Sequence, residues 1–380
     1  MKDRDIMTQL AQIGNRNDST GAISFPIYYS ATFAHPELGK STGFDYSRSG
    51  NPTRKVLEDA IAGLEKGCKG YAFSSGMAAI TTLLSLFQNG DHLIVTEDSY
   101  GGTYRLLDKI FKEFGISVSY VDTSWTELIR NAITPKTKAI FCETPTNPLM
   151  KIADIQSICE LAKSRNIITI IDNTFLTPYY QRPLELGADI VVHSATKFIG
   201  GHNDVVAGLV AVKGEKLAER VGFLQNALGA TLGPQDSWLL IRGLKTLGLR
   251  LDCQQRNALT IARWLENNPH VDTVYYPGLP NHPGYATQQS QASGFGAIIS
   301  FTLKDKKQIP SILKNVEIIS FAESLGGVES LITYPFIQTH ADIPADIREQ
   351  LGIDDCLLRI SVGIENIEDL ISDLNQAFNK

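Results

Sequence analysis

The strongest constraint on this chain is a rhythm: from about residue 54 to residue 212, short apolar bursts alternate with stretches of helical spacing. Arg54 to Lys66 places Val56, Leu57, Ala60, Ile61 and Leu64 on one helical face, and GYAFSSG then reads as a short strand running into a turn. Met77 to Phe87 resumes helix, His92 to Thr96 is strand-like, and Thr103 to Phe114 is helical again. Further bursts recur at Ser117 to Val121, Ala139 to Cys142, Ile167 to Ile171, Ile190 to Val192 and Leu209 to Val212. Strands this uniformly apolar have no face left for water. They predict a largely parallel sheet covered by helices on both sides, an α/β domain.

The flanks differ. Residues 1–50 lack strong periodicity and are rich in Gly, Ser, Pro and Tyr, which predicts an extended N-terminal arm ending at SRSGNPT. Near Gly233 the pattern turns to one long helical stretch, SWLLIRGLKTLGLRLDCQQRNALTIARWLENN. Beyond it, strand-like VDTVYYP, GAIISFTL and LLRISVG mix with helices such as IEDLISDLNQAF. The expected organisation is therefore an arm over 1–50, an α/β domain over 51–248 and a smaller α+β domain over 249–380, as suits a length of 380 residues.

Composition narrows the function. A net charge of −6 is too mild to suggest nucleic acid or an acidic membrane as partner. MKDRDIMTQLAQ carries acids and no apolar stretch, so no secretory signal is expected, and no apolar run reaches membrane-spanning length. Five scattered cysteines without CxxC spacing predict reduced thiols in the cytoplasm. Neither HExxH nor an acidic EF-hand loop occurs, so no metal is expected; GxGxxG and GxxxxGK[ST] are missing too, which removes the usual support for nucleotide binding.

Chemistry concentrates at a few points. Lys197, in HSATK, follows a strand and lies 25 positions after Asp172, which ends the apolar run IITIID. A lysine able to lose its proton near neutral pH can hold an aldehyde as a Schiff base, and an aspartate can pair with a pyridinium nitrogen. Together they read as two ends of pyridoxal phosphate. Each has a plainer alternative, a surface lysine and a turn-forming Asp. Ser194 and Thr196 offer hydroxyls beside Lys197, and SSGMAAI places the amides of Gly76 and Met77 at a helix start, where they suit a phosphate or simply a helix capped by Ser75. Tyr46 and Arg48 share the loop DYSRSGNPT, either a solvated turn or a phosphate fork. Tyr100, before two glycines, suits stacking on a flat ring or ordinary packing. Arg359 is a charge inside the apolar strand LLRISVG and needs a partner, either a substrate carboxylate or a structural ion pair.

These motifs, in this order, resemble the cystathionine gamma-synthase and gamma-lyase family of pyridoxal phosphate enzymes, fold type I. The matching segments are YSRSGNPTR, FSSGMAA, YGGTYRL, ETPTNPL, IDNTF, GADIVVHSATKFIGGHND, AESLGGVESLI and LLRISVGIE, which span nearly the whole chain. The resemblance implies a mostly parallel seven-stranded sheet in the large domain. It implies Lys197 as Schiff-base lysine and proton shuttle, Asp172 as pyridinium partner, and Tyr100 stacked on the ring and assisting at the amine. Gly76, Met77, Ser194 and Thr196 would bind phosphate, with Tyr46 and Arg48 reaching in from a neighbouring subunit of a homotetramer built of two active dimers. Asn147, Arg359 and the backbone at Ser324 would hold the substrate α-carboxylate.

Within the family, Glu323 in FAESLGG favours the gamma-synthase and gamma-lyase branches over beta-lyases, and Asp45 and Arg105 match positions near the distal end of the substrate. TQLAQIGNR, STGFDYSR and ITYPFIQTHADIP look most like the synthase branch, whereas LGPQDSWLLIRGLKTLGLR also occurs in gamma-lyase-like members. The leading expectation is thus γ-replacement, joining O-acyl-L-homoserine and L-cysteine into L-cystathionine. The alternatives are a gamma-lyase cleaving cystathionine, direct sulfhydrylation of the acyl-homoserine, and a non-catalytic binding or scaffold protein of the same fold.

Overall fold

A computed structural model describes residues 4–15, 18–338, 348 and 350–380. The apolar bursts pair into a seven-stranded sheet made of β1 (Lys69–Phe73), β2 (His92–Thr96), β3 (Ser117–Val121), β4 (Thr137–Glu143), β5 (Ile168–Asp172), β6 (Ile190–Ser194) and β7 (Gly208–Val212). Its order is β1-β7-β6-β5-β4-β2-β3. The run from β3 to β6 is parallel, and only β7 opposes its neighbours β6 and β1. Every residue of β2 and β7 is buried, as the unbroken apolar bursts require. Two apolar cores flank the sheet, one around Ile94, Ile140 and Ile171, the other around Val95, Phe141 and Val192.

A second sheet of five strands follows: β8 (Val271–Tyr275), β9 (Ile298–Leu303), β10 (Ser320–Phe321), β11 (Leu331–Thr333) and β12 (Leu357–Ser361), in the order β10-β11-β12-β9-β8. Its contacts are antiparallel except between β10 and β11. The terminal helix Ile367–Phe378 buries Leu370, Leu374 and Phe378.

Three elements depart from expectation. The long helical stretch is two helices, Pro234–Lys245 and Leu247–Glu266, broken at Thr246. Apolar spacing runs through the break at Leu244, Leu247 and Leu251, which hides it in the sequence, while the Arg250 side chain donates to the Gly243 carbonyl across it. The expected helix from Thr103 begins at Gly101 and becomes a π turn over Leu107–Phe111, closed by the Lys112 amide on the Leu107 carbonyl. The arm is irregular but carries one short helix, Ile6–Ala11, capped by Asp5 and anchored by buried Leu10. Part of the synthase-like segment, residues 339–344, and Arg16 of TQLAQIGNR lie outside the described residues. Among the described residues no helix is long and apolar enough to cross a membrane.

The parallel strands all end on one edge of the large sheet, the side on which ligands collect in such folds. There Glu143, Asp172 and Ser194 close β4, β5 and β6, and a cavity of about 290 Å³ opens.

Candidate active site

Lys197 sits in the turn that leaves β6, held by its amide on the Ser194 carbonyl and by the Gly201 amide on its own carbonyl. Its Nζ points into the cavity and donates to Ser324 Oγ at 2.7 Å. Burial pushes the amine down to about 8, with nearby Arg359 acting the same way and Glu323 opposing both. Ser324 has φ +88°, a left-handed conformation that disfavours a side chain. It is pinned there because its hydroxyl meets Lys197 while its carbonyl accepts from Arg359 Nη2 at 3.0 Å.

Across the cavity Asp172 is buried, and its Oδ1 accepts the amide and hydroxyl of Thr174 at 3.0 and 2.5 Å. Burial raises its pKa, while the Thr174 bonds and neighbouring His193 pull it back. Beside it in register on β4 stands Glu143, whose carboxyl is held well above the usual range by burial and by the charge of Asp172. The Asp172 carboxyl lines the cavity and is placed for a cationic ring nitrogen, while Glu143 is turned to the Tyr100 amide.

At the other end, Ser75 caps the helix Gly76–Leu84 through Oγ to the Ala78 amide at 2.9 Å. The amides of Gly76 and Met77, in the first turn, have no helical acceptor, and both residues line the cavity with Ser194 and Thr196. A Cβ on Gly76 would lie 3.0 Å from both Cβ and Oγ of Ser194, so the glycine keeps that cradle open. Tyr100 precedes the helix Gly101–Leu106 and lines the cavity. Arg359, at 1% exposure, donates from Nη1 to Asn147 Oδ1 at 2.7 Å and leaves Nε without a partner. A buried guanidinium with an idle donor suits an incoming carboxylate. Carbon-lined walls, anion cradle, the buried Asp172 and the lysine together fit pyridoxal phosphate.

Thus Lys197, Asp172, Gly76, Met77, Ser194, Thr196, Tyr100, Asn147, Glu323, Ser324 and Arg359 meet around one cavity. Tyr46, Arg48, Asp45 and Arg105 do not line it. Arg48 lies over the Tyr46 ring at 5.5 Å and donates to Asn226 Oδ1, on the surface. Asp45 accepts from the Ser41 hydroxyl in the arm, and Arg105 is exposed on its helix. Sequence reasoning missed Glu143, Thr174 and Phe175, which also line the cavity. The available signal was their place in ETPTNPL and IDNTF, two segments recognised for other residues.

The pattern of the family described as Cys/Met metabolism PLP-dependent enzyme is matched by residues 7–379. A cystathionine gamma-synthase/O-acetylhomoserine (thiol)-lyase of Bacillus subtilis (strain 168) is 54% identical, with 98% of this chain and 96% of that protein covered. A cystathionine gamma-lyase of the same organism is 52% identical with 99% of each covered, and a cystathionine beta-lyase of Lactococcus lactis subsp. cremoris (strain MG1363) is 51% identical with 99% of each covered. The solved structure of cystathionine gamma synthase from Xanthomonas oryzae pv. oryzae in complex with cystathionine superposes with a TM-score of 0.97 at 41% identity, covering 99% of this chain and 98% of that one.

Proposed function

The chain belongs to the Cys/Met metabolism family of PLP-dependent enzymes, and on that premise we propose that it catalyses γ-replacement, converting O-acyl-L-homoserine and L-cysteine to L-cystathionine and a free carboxylate. Pyridoxal phosphate, when bound, supplies the aldehyde that joins an amine and the ring that takes up electron density. Gly76, Met77, Ser194 and Thr196 would hold its phosphate, Asp172 would pair with its ring nitrogen, and Tyr100 would stack on the ring. Arg359 and Asn147 fix the substrate α-carboxylate, which is a positioning effect. Lys197 Nζ, with its pKa lowered to about 8, is neutral often enough near pH 7 to take protons from Cα and Cβ as the acyl group leaves Cγ, and to return them to both carbons once the cysteine sulfur has bonded to Cγ.

The observation that carries the γ assignment is Glu323. It lines the cavity and is exposed, close enough that its charge partly offsets the burial that lowers the pKa values of Lys197 and Arg359. A charged group there suits a substrate with a polar distal end. Initial rates with O-acetyl-, O-succinyl- or O-phospho-L-homoserine plus cysteine, set against cystathionine alone, test the assignment. Faster formation of cystathionine supports it; faster release of 2-oxobutanoate and ammonia makes the protein a gamma-lyase, a reading favoured by the 52% identity to a protein of that name. Release of pyruvate instead would overturn both. We place the enzyme in the cytoplasm, in keeping with its five free cysteines.

A further inference from the structure

Glu143 is the last residue of β4, and its side chain is buried. Its Oε2 accepts the backbone amide of Tyr100 at 2.9 Å, and the backbone amide of Asn147 hydrogen-bonds the same carboxyl group. Asn147 in turn accepts Arg359 Nη1 through its side chain. A path therefore runs from the backbone of Tyr100, through one carboxyl group and Asn147, to the buried guanidinium. The same two loops are joined a second time. Buried Asp98, two residues before Tyr100, accepts the hydroxyl of Thr146, the residue before Asn147, at 2.5 Å. Asp98 Oδ1 has no partner, so the protein tolerates a half-satisfied buried acid at this junction.

We propose that Glu143 is a positioning residue that straps the backbone of Tyr100 to the backbone of Asn147 and thereby sets the spacing between the ring-stacking phenol and the carboxylate clamp of Arg359. The proposal rests on the pyridoxal phosphate assignment above. The strap does not touch the phosphate cradle or Lys197, so its loss leaves the cofactor in place and loosens the substrate. Burial and the Asp172 charge favour a neutral carboxyl at 143, so glutamine keeps its size and neutrality and leaves one oxygen to accept the Tyr100 amide.

The test uses purified holoenzyme with Glu143→Ala and Glu143→Gln. KM for the acyl-homoserine, kcat, the visible circular dichroism of bound cofactor, and the Kd for pyridoxal phosphate added to apoprotein are measured. The alanine variant is expected to raise KM about tenfold and to shrink the circular dichroism band while the cofactor Kd stays within about twofold, and glutamine, which keeps one accepting oxygen, is expected to recover part of the loss. Unchanged KM and circular dichroism in a coloured alanine variant would overturn the strap alone. A colourless wild type would overturn the cofactor assignment and the strap with it. If the alanine variant does not fold, Glu143→Asp decides: one methylene shorter, it cannot reach both amides, so a raised KM supports the strap and an unchanged one refutes it.

Discussion

At Lys197 the chemistry depends on what surrounds a single amine. An exposed lysine is almost fully protonated at pH 7, and here burial together with Arg359 moves the balance while Glu323 restrains it. Because only the neutral amine attacks an aldehyde, capture of pyridoxal phosphate by the apoprotein should speed up about tenfold per pH unit below 8 and level off above it, as followed by the growth of the visible band. Replacing Glu323 by Gln removes the group that holds the amine's pKa up, so the levelling point should move to lower pH; movement to higher pH would show that the charge balance is assigned wrongly. Lys197→Ala should yield no borohydride-fixed adduct at position 197 by mass spectrometry. Lys197 and Asp172 were legible because their residue types and surrounding motifs are distinctive. Glu143 was not, because its meaning arises only when β4 and β5 pair in register and an amide 43 residues away turns toward it.

Among the elements, the decisive joint is where β7 passes the turn between β1 and the helix Gly76–Leu84. Gly208, the first residue of β7, has no room for a side chain: an added Cβ would lie 2.3 Å from the Ser75 carbonyl oxygen. Ser75 caps the cradle helix, so pressure there is transmitted to the amides of Gly76 and Met77. Gly208→Ala should lower stability by about 1–3 kcal/mol in denaturant titration, as overpacking does, and weaken cofactor binding with it. Gly63, on the exposed side of the helix Pro52–Glu65, meets nothing within 4 Å. Gly63→Ala should therefore add about 0.5–1 kcal/mol and leave the cofactor alone. A loss of stability at Gly63, or none at Gly208, would contradict this packing account. Apolar periodicity revealed the strands because burial on both faces leaves no other pattern, whereas the break at Thr246 and the π turn were invisible because neither interrupts the apolar spacing.

On the scale of the whole molecule, the cavity lies between the two sheets, with Arg359 from β12 meeting Asn147 from the loop after β4. Among the described residues, none of the arm lines it. Tyr46 is 48% exposed, and Ile23, Tyr29 and Leu38 of the same arm are more exposed still. Such apolar exposure is costly for an isolated chain and is relieved if the arm lies on a second copy. The sequence resemblance implies that Tyr46 and Arg48 then serve the neighbour's phosphate, a role no single chain can display. Mixed subunits give a direct test. Lys197→Ala and Arg48→Ala subunits should each have little or no activity alone. If Arg48 acts across the interface, a hybrid dimer holds one cavity that combines an intact lysine with an intact arginine, and one that lacks both. Random reassociation of equal amounts makes half the dimers hybrid, so activity should return to about a quarter of the wild-type value per subunit. If Arg48 served its own chain's cavity, every site in the mixture would lack one of the two residues, and no activity would return.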